Sequence, residues 1–114
     1  MVAADELLGP EELAAGLAAL PGWELQGAEL VRTFELGSFP EAVAALVAVA
    51  EAAEAAQHHP DMELRYRRLT FRLTTHSAGG LTRKDLDLAG AIEGCVARVR
   101  AGEATPPAGG SDSG

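Results

Sequence analysis

The spacing of apolar positions divides the chain into stretches suited to helix and stretches suited to strand. Gly9-Pro10-Glu11-Glu12 opens the first helix: proline sits where a missing N–H costs least, the acids lie near the positive end of the dipole, and Leu13, Leu17 and Leu20 recur on one face. Pro21-Gly22 ends it. Two short strands follow, residues 23–26 and 29–36, joined by Gly27-Ala28. In the second, Leu30, Arg32, Phe34 and Leu36 alternate with Val31, Thr33 and Glu35, as in a hairpin.

Ser38-Phe39-Pro40-Glu41 has the Ser-x-x-Glu spacing of a capping box and starts a long helix that runs to about Gln57. That helix is apolar beyond one stripe. Val43, Leu46, Val47 and Ala50 suffice to cover a sheet, so Ala45, Val49, Ala52 and Ala56 form a second face that predicts contact with another copy of the chain. Pro60 is expected to end the helix and to hold the two residues before it. Two further strands, 62–67 and 69–75, make a second hairpin, with Leu69, Phe71, Leu73 and Thr75 on one face and Thr70, Arg72 and Thr74 on the other. After Gly79-Gly80, Thr82 and Asp85 have the spacing of a cap. Leu81 can staple onto Leu86, and the last helix reaches about Arg100 with Leu88, Ile92, Val96 and Val99 buried. The order αββαββα predicts an α+β fold: a four-stranded antiparallel sheet with three helices packed on one face.

Composition narrows the class without changing that picture. A chain of 114 residues with 47% hydrophobic content can bury one modest core, so residues 1–103 are expected to form a single domain. The Pro-, Gly- and Ser-rich stretch 104–114 reads as a disordered tail. One cysteine, Cys95, excludes a disulfide framework and reads as a buried thiol in a reducing compartment. Asp5 and Glu6 stand where a signal peptide would carry basic residues, and no apolar run approaches membrane-spanning length, so a cytoplasmic location is expected. A net charge of −8 argues against nucleic acid or an anionic membrane as partner. Arg65, Arg67, Arg68, Arg72, Arg83 and Lys84 lie close together, and they read as solvent-facing charges that protect sheet edges, with no catalytic role.

The chain's three histidines all fall between 58 and 76: His58 and His59 at the end of the long helix, His76 where the last strand gives way to a loop. Side chains at such positions can converge above a rigid sheet, and imidazole suits proton transfer near neutral pH because its unperturbed pKa is about 6.5. Glu54 lies one helical turn before His58 and can approach that ring or a ligand beside it. Three readings stand open on residue types: an acid/base site, a three-histidine metal site, and a structural cluster. The metal reading is disfavoured because adjacent histidines project in different directions and neither an HxH pair nor an HExxH helix is present. Asp85 is accounted for by its helix cap.

The run Glu54-Ala-Ala-Gln-His58-His59-Pro60-Asp61, then Tyr66, Thr74-Thr75-His76, Gly79-Gly80-Leu81-Thr82 and Asp85 resembles the signature of the pterin-4a-carbinolamine dehydratases. Pro21-Gly22-Trp23 and Asp87-Leu88-Ala89 extend the likeness over about residues 5 to 100. The resemblance implies dehydration of 4a-hydroxytetrahydropterin to quinonoid dihydropterin without metal or organic cofactor. It implies a homodimer or homotetramer built partly through the 41–57 helix. Carried over by position, His58, His59 and His76 are the acid/base set, and Glu54, Gln57, Thr74, Thr75 and Trp23 contact the pterin. Met62-Glu63-Leu64 departs from the aromatic and asparagine residues many relatives carry there. Animal relatives also act as dimerisation cofactors for a transcription factor, so a non-catalytic binding or assembly protein on the same scaffold is the alternative.

Overall fold

The two alternating apolar stretches become the middle of a sheet. A computed structural model describes residues 6–102. In chain order its elements are α1 (Pro10–Ala18), β1 (Glu24–Gln26), β2 (Glu29–Glu35), α2 (Phe39–Ala56), β3 (Asp61–Arg65), β4 (Arg68–Leu73), a 3-10 turn (His76–Ala78) and α3 (Arg83–Arg100). All strand pairs are antiparallel, in the order β1-β2-β4-β3. The expected α+β architecture is the one observed. The expected tail from 104 lies outside the described residues.

Register sets the core. Leu30 pairs with Leu73, Arg32 with Phe71 and Phe34 with Leu69, so the inward positions of β2 and β4 coincide. Leu30, Phe34, Leu36, Leu69, Phe71 and Leu73 are all fully buried, each contributing about 1.5–3 kcal/mol on burial. The Phe34 and Phe71 rings meet edge to face at 5.9 Å. The opposite face is polar apart from buried Val31, and there the Thr33 and Thr70 hydroxyls lie 2.8 Å apart. Arg32 shares the apolar side but reaches its edge. Its guanidinium lies 4.1 Å from the Phe34 ring centroid, and Nε donates to Glu93 on α3 at 3.0 Å.

α3 buries the expected stripe of Leu88, Ile92, Val96 and Val99, together with Leu86, Ala89 and Cys95. α1 is only half-buried, through Leu13 and Leu17, and crosses α3 closely at Gly16. A Cβ at Gly16 would lie 2.6 Å from Leu86 Cδ1, so a larger residue there requires the Leu86 side chain to shift. Among the described residues no helix is long and apolar enough to cross a membrane.

α2 corrects the sequence reading in two ways. The two stripes are exchanged only in part: Ala45 and Val49 turn inward and Val43 and Val47 outward, while Leu46 packs against the core and Ala56 stays exposed, as expected of their stripes. Ala42, Ala45, Val49 and Ala53 are buried, whereas Val43 and Val47 are each 37% exposed and Ala56 is exposed. Small side chains go where two backbones approach: Cys95 Sγ on α3 comes within 3.6 Å of the Ala48 carbonyl. The bulkier valines, with Phe39, are left on the open side. The N-terminus follows the reading in part: Ser38 Oγ accepts from Glu41 N–H at 3.2 Å, but the Glu41 carboxylate accepts from Gly37 N–H and does not close the box on Ser38. The C-terminus does not. Gln57, at φ 54°, turns left-handed and ends the helix before Pro60 is reached; His58 N–H then closes on the Ala53 carbonyl at 3.1 Å, the bond of a Schellman cap.

Candidate active site

The turn at Gln57 throws His58 across to the start of α3, and a buried carboxylate receives it. Asp85 is 0% exposed, and its Oδ1 lies 2.6 Å from His58 Nε2. Its Oδ2 accepts from Thr82 N–H at 2.9 Å and from the Thr75 hydroxyl at 2.8 Å. Because the Thr75 hydrogen is committed to Asp85, the Thr82 hydroxyl 2.8 Å away must donate to Thr75 Oγ1. Thr82 Oγ1 in turn accepts from Lys84 N–H at 3.2 Å. The result is a directed chain of hydrogen bonds in which each group is satisfied, and such buried networks are rigid. A carboxylate can only accept, so Nε2 of His58 carries its hydrogen and Nδ1 is the ring's acceptor nitrogen. The cap geometry expected of Asp85 is present, but its other oxygen orients an imidazole 27 residues away.

His59 points elsewhere. Its Nε2 lies 2.9 Å from Glu54 Oε1, with both side chains largely exposed. Glu54 thus meets His59 and not His58 as the helical spacing suggested, because the left-handed residue between them breaks the one-turn relation. An exposed pair of this kind contributes about 0–1 kcal/mol to stability, so it orients the ring only weakly. His76 opens the 3-10 turn, itself held by Thr75: the Thr75 carbonyl accepts from Ala78 and Gly79, and its N–H donates to the Gly80 carbonyl at 2.9 Å. The Thr74 hydroxyl is bound to the Ala28 carbonyl at 2.8 Å, which ties the end of β4 to the first hairpin.

An open groove of about 310 Å³ brings most of the expected residues together: Gln57, His58, His59, Thr74, Thr75 and His76 line it, with Ser77 and Lys84. Thr75 contributes by holding Asp85 and the turn; its hydroxyl and both backbone groups are occupied. Glu54 reaches the site through His59. Trp23 is not among the lining residues. It is 6% exposed in the core, and its Nε1–H donates to Glu93 at 2.8 Å, beside the Arg32 contact. Three residues escaped the sequence reading: Ser77, which lines the groove, Lys84 and Asp85. Lys84 had been grouped with solvent-facing basic residues, yet as the second residue of α3 it lines the groove. Asp85 carried a visible signal, the Thr-x-x-Asp spacing, which explains one of its oxygens only. Among the described residues no group of three or more His, Cys, Asp or Glu side chains is arranged to hold a metal ion.

The family model described as Pterin 4 alpha carbinolamine dehydratase matches residues 6–95. A protein of Nocardia farcinica named "Putative pterin-4-alpha-carbinolamine dehydratase" is 53% identical over 88 residues, covering 77% of this chain and 93% of that one. A Roseiflexus protein of the same name is 54% identical over 86 residues, covering 75% and 92%. Among solved structures, a crystal structure described as a transcriptional coactivator/pterin dehydratase from Brucella melitensis superposes with a TM-score of 0.76 at 30% identity. It covers 80% of this chain and 99% of that one.

Proposed function

The chain belongs to the pterin 4 alpha carbinolamine dehydratase family, and from that premise we propose that it is a hydro-lyase whose imidazole groove dehydrates 4a-hydroxytetrahydropterin. The observation that carries the proposal for the site is the meeting of His58, His59 and His76 in one groove, with His58 backed by buried Asp85.

The reaction breaks the C4a–O bond. A proton goes to the departing hydroxyl, which leaves as water; a base removes the hydrogen of the adjacent ring nitrogen N5, and that electron pair forms the C4a=N5 bond of the quinonoid product. Both proton transfers suit imidazole, and well-placed groups of this kind contribute about 10²–10⁴-fold each. In this reading His58 is the base. Its Nε2 is held by Asp85, Nδ1 takes the N5 proton, and the carboxylate compensates the positive charge the ring then carries. His59 and His76, both exposed to the groove, supply the proton to the leaving hydroxyl. Gln57 and Thr74 contact the pterin rim, Glu54 orients His59, and Trp23 serves the site from the core by fixing β1 against α3.

The proposal extends to a homo-oligomer formed through the open face of α2, where Phe39, Val43 and Val47 are exposed together. It also includes a cytoplasmic location, which suits a lone, buried thiol at Cys95. Decay of freshly generated 4a-hydroxytetrahydropterin, followed with and without the protein and with His59→Ala, tests the activity. No acceleration by the unmodified chain refutes it.

A further inference from the structure

A second cavity of about 180 Å³ adjoins the imidazole groove, between the last turns of α2 and the first turns of α3. Its walls are the methyl groups of Ala52, Ala56 and Ala91 and the side chain of Leu88; Asp87 also lines it. His58 and Lys84 line both cavities, and of the three histidines only His58 does so.

We propose that this apolar cleft receives the carbon substituent at C6 of the pterin, and that its alanines determine which substituents are accepted. The inference rests on the dehydratase reading. The pterin bicycle carries heteroatoms around most of its rim, which the polar groove can match; the C6 substituent is built on saturated carbon and gains from apolar walls. Position agrees with chemistry. C4a, N5 and C6 are consecutive ring atoms, so a pterin that offers its N5 hydrogen to His58 sends its C6 substituent past that same imidazole, and the cleft begins there.

Size and polarity select further. At about 30 Å³ for each water-sized group, the cleft holds about six non-hydrogen atoms, enough for a short hydroxylated chain and too small for a long conjugated tail. Lys84 and Asp87 offer a donor and an acceptor to hydroxyl groups on such a chain, while the alanines and Leu88 face its carbons.

Filling the cleft tests this. Ala91→Leu and Ala56→Leu each add bulk from a helical position where leucine is well tolerated, so a folding failure in one leaves the other to read. Steady-state constants are measured for 4a-hydroxytetrahydropterins carrying a 6-methyl or a 6-dihydroxypropyl group. The expected result is a fall of at least fivefold in the kcat/KM ratio of the longer substrate to the shorter, arising in KM. A ratio within twofold of the unmodified protein in both variants, or an equal loss on both substrates, overturns the inference. If the unmodified protein accelerates neither substrate, the dehydratase reading itself fails and takes the inference with it.

Discussion

Replacing Asp85 by Asn probes the site while asking little of the fold. The carboxylate accepts three hydrogen bonds in a fully buried position, from Thr82 N–H, the Thr75 hydroxyl and His58 Nε2. An asparagine oxygen in the place of Oδ2 keeps the first two. The amide NH₂ then faces Nε2 at the 2.6 Å position, donor against donor, and the conflict ends only if the His58 hydrogen moves to Nδ1. Bonds to a charged acceptor are worth about 1.5–3 kcal/mol and neutral ones about 0.5–1.5, so three weakened bonds cost about 3–4.5 kcal/mol. A domain with about 5–15 kcal/mol of stability survives that loss. Asp85→Ala, in contrast, orphans three buried donors at about 1–3 kcal/mol each and threatens the fold itself.

The catalytic effect is read separately from the stability effect. With its hydrogen on Nδ1, His58 cannot take the N5 proton, and a rate loss of about 10²–10⁴-fold is expected of a removed general base. Urea denaturation gives the stability change, decay of 4a-hydroxytetrahydropterin gives the rate, and ¹⁵N shifts of the His58 ring report the tautomer. A variant that stays folded, switches the tautomer and retains activity within threefold of the original would refute the assignment of His58 as base.

Other perturbations separate packing from chemistry. Gln57→Gly relieves a left-handed residue that costs about 1–2 kcal/mol, so the urea midpoint should rise, while loss of the amide from the groove should raise KM. Trp23→Phe removes the bond to Glu93 and should lower stability by about 1 kcal/mol by the same denaturation assay; a raised KM at unchanged stability would instead put the indole against the substrate. Val47→Glu places a charge in the open face of α2 and should yield a folded monomer by light scattering, with an unchanged particle mass counting against that face as an interface.

Much of the fold was legible because it is encoded locally. Caps are read within one helical turn, which is why Ser38 and Thr82 start their helices as expected. Strand alternation is read over a few residues, and it placed Leu69, Phe71, Leu73 and Thr75 on one buried face correctly. The convergence of His58, His59 and His76 was legible from where they fall on the elements; the family resemblance added Gln57, Thr74 and Thr75, which line the groove, and Glu54 and Trp23, which do not. The faces of α2 were not. Alanine and valine are both apolar, and hydrophobic pattern alone does not say which stripe meets a close helix and which stays open.

The sequence by itself determined which segments are helix or strand, the order αββαββα, and the set of imidazoles available for proton transfer, because these follow from periodicity, capping and residue type. Tertiary structure decided their pairing. Gln57 in a left-handed turn sends His58 to Asp85 and leaves Glu54 to His59, and the close approach of α2 and α3 turns the alanines inward and places the second cavity beside His58. The His58–Asp85 bond and the approach of α2 to α3 depend on contacts between residues far apart in the chain, where geometry is set by the packing of whole elements and no local spacing records it.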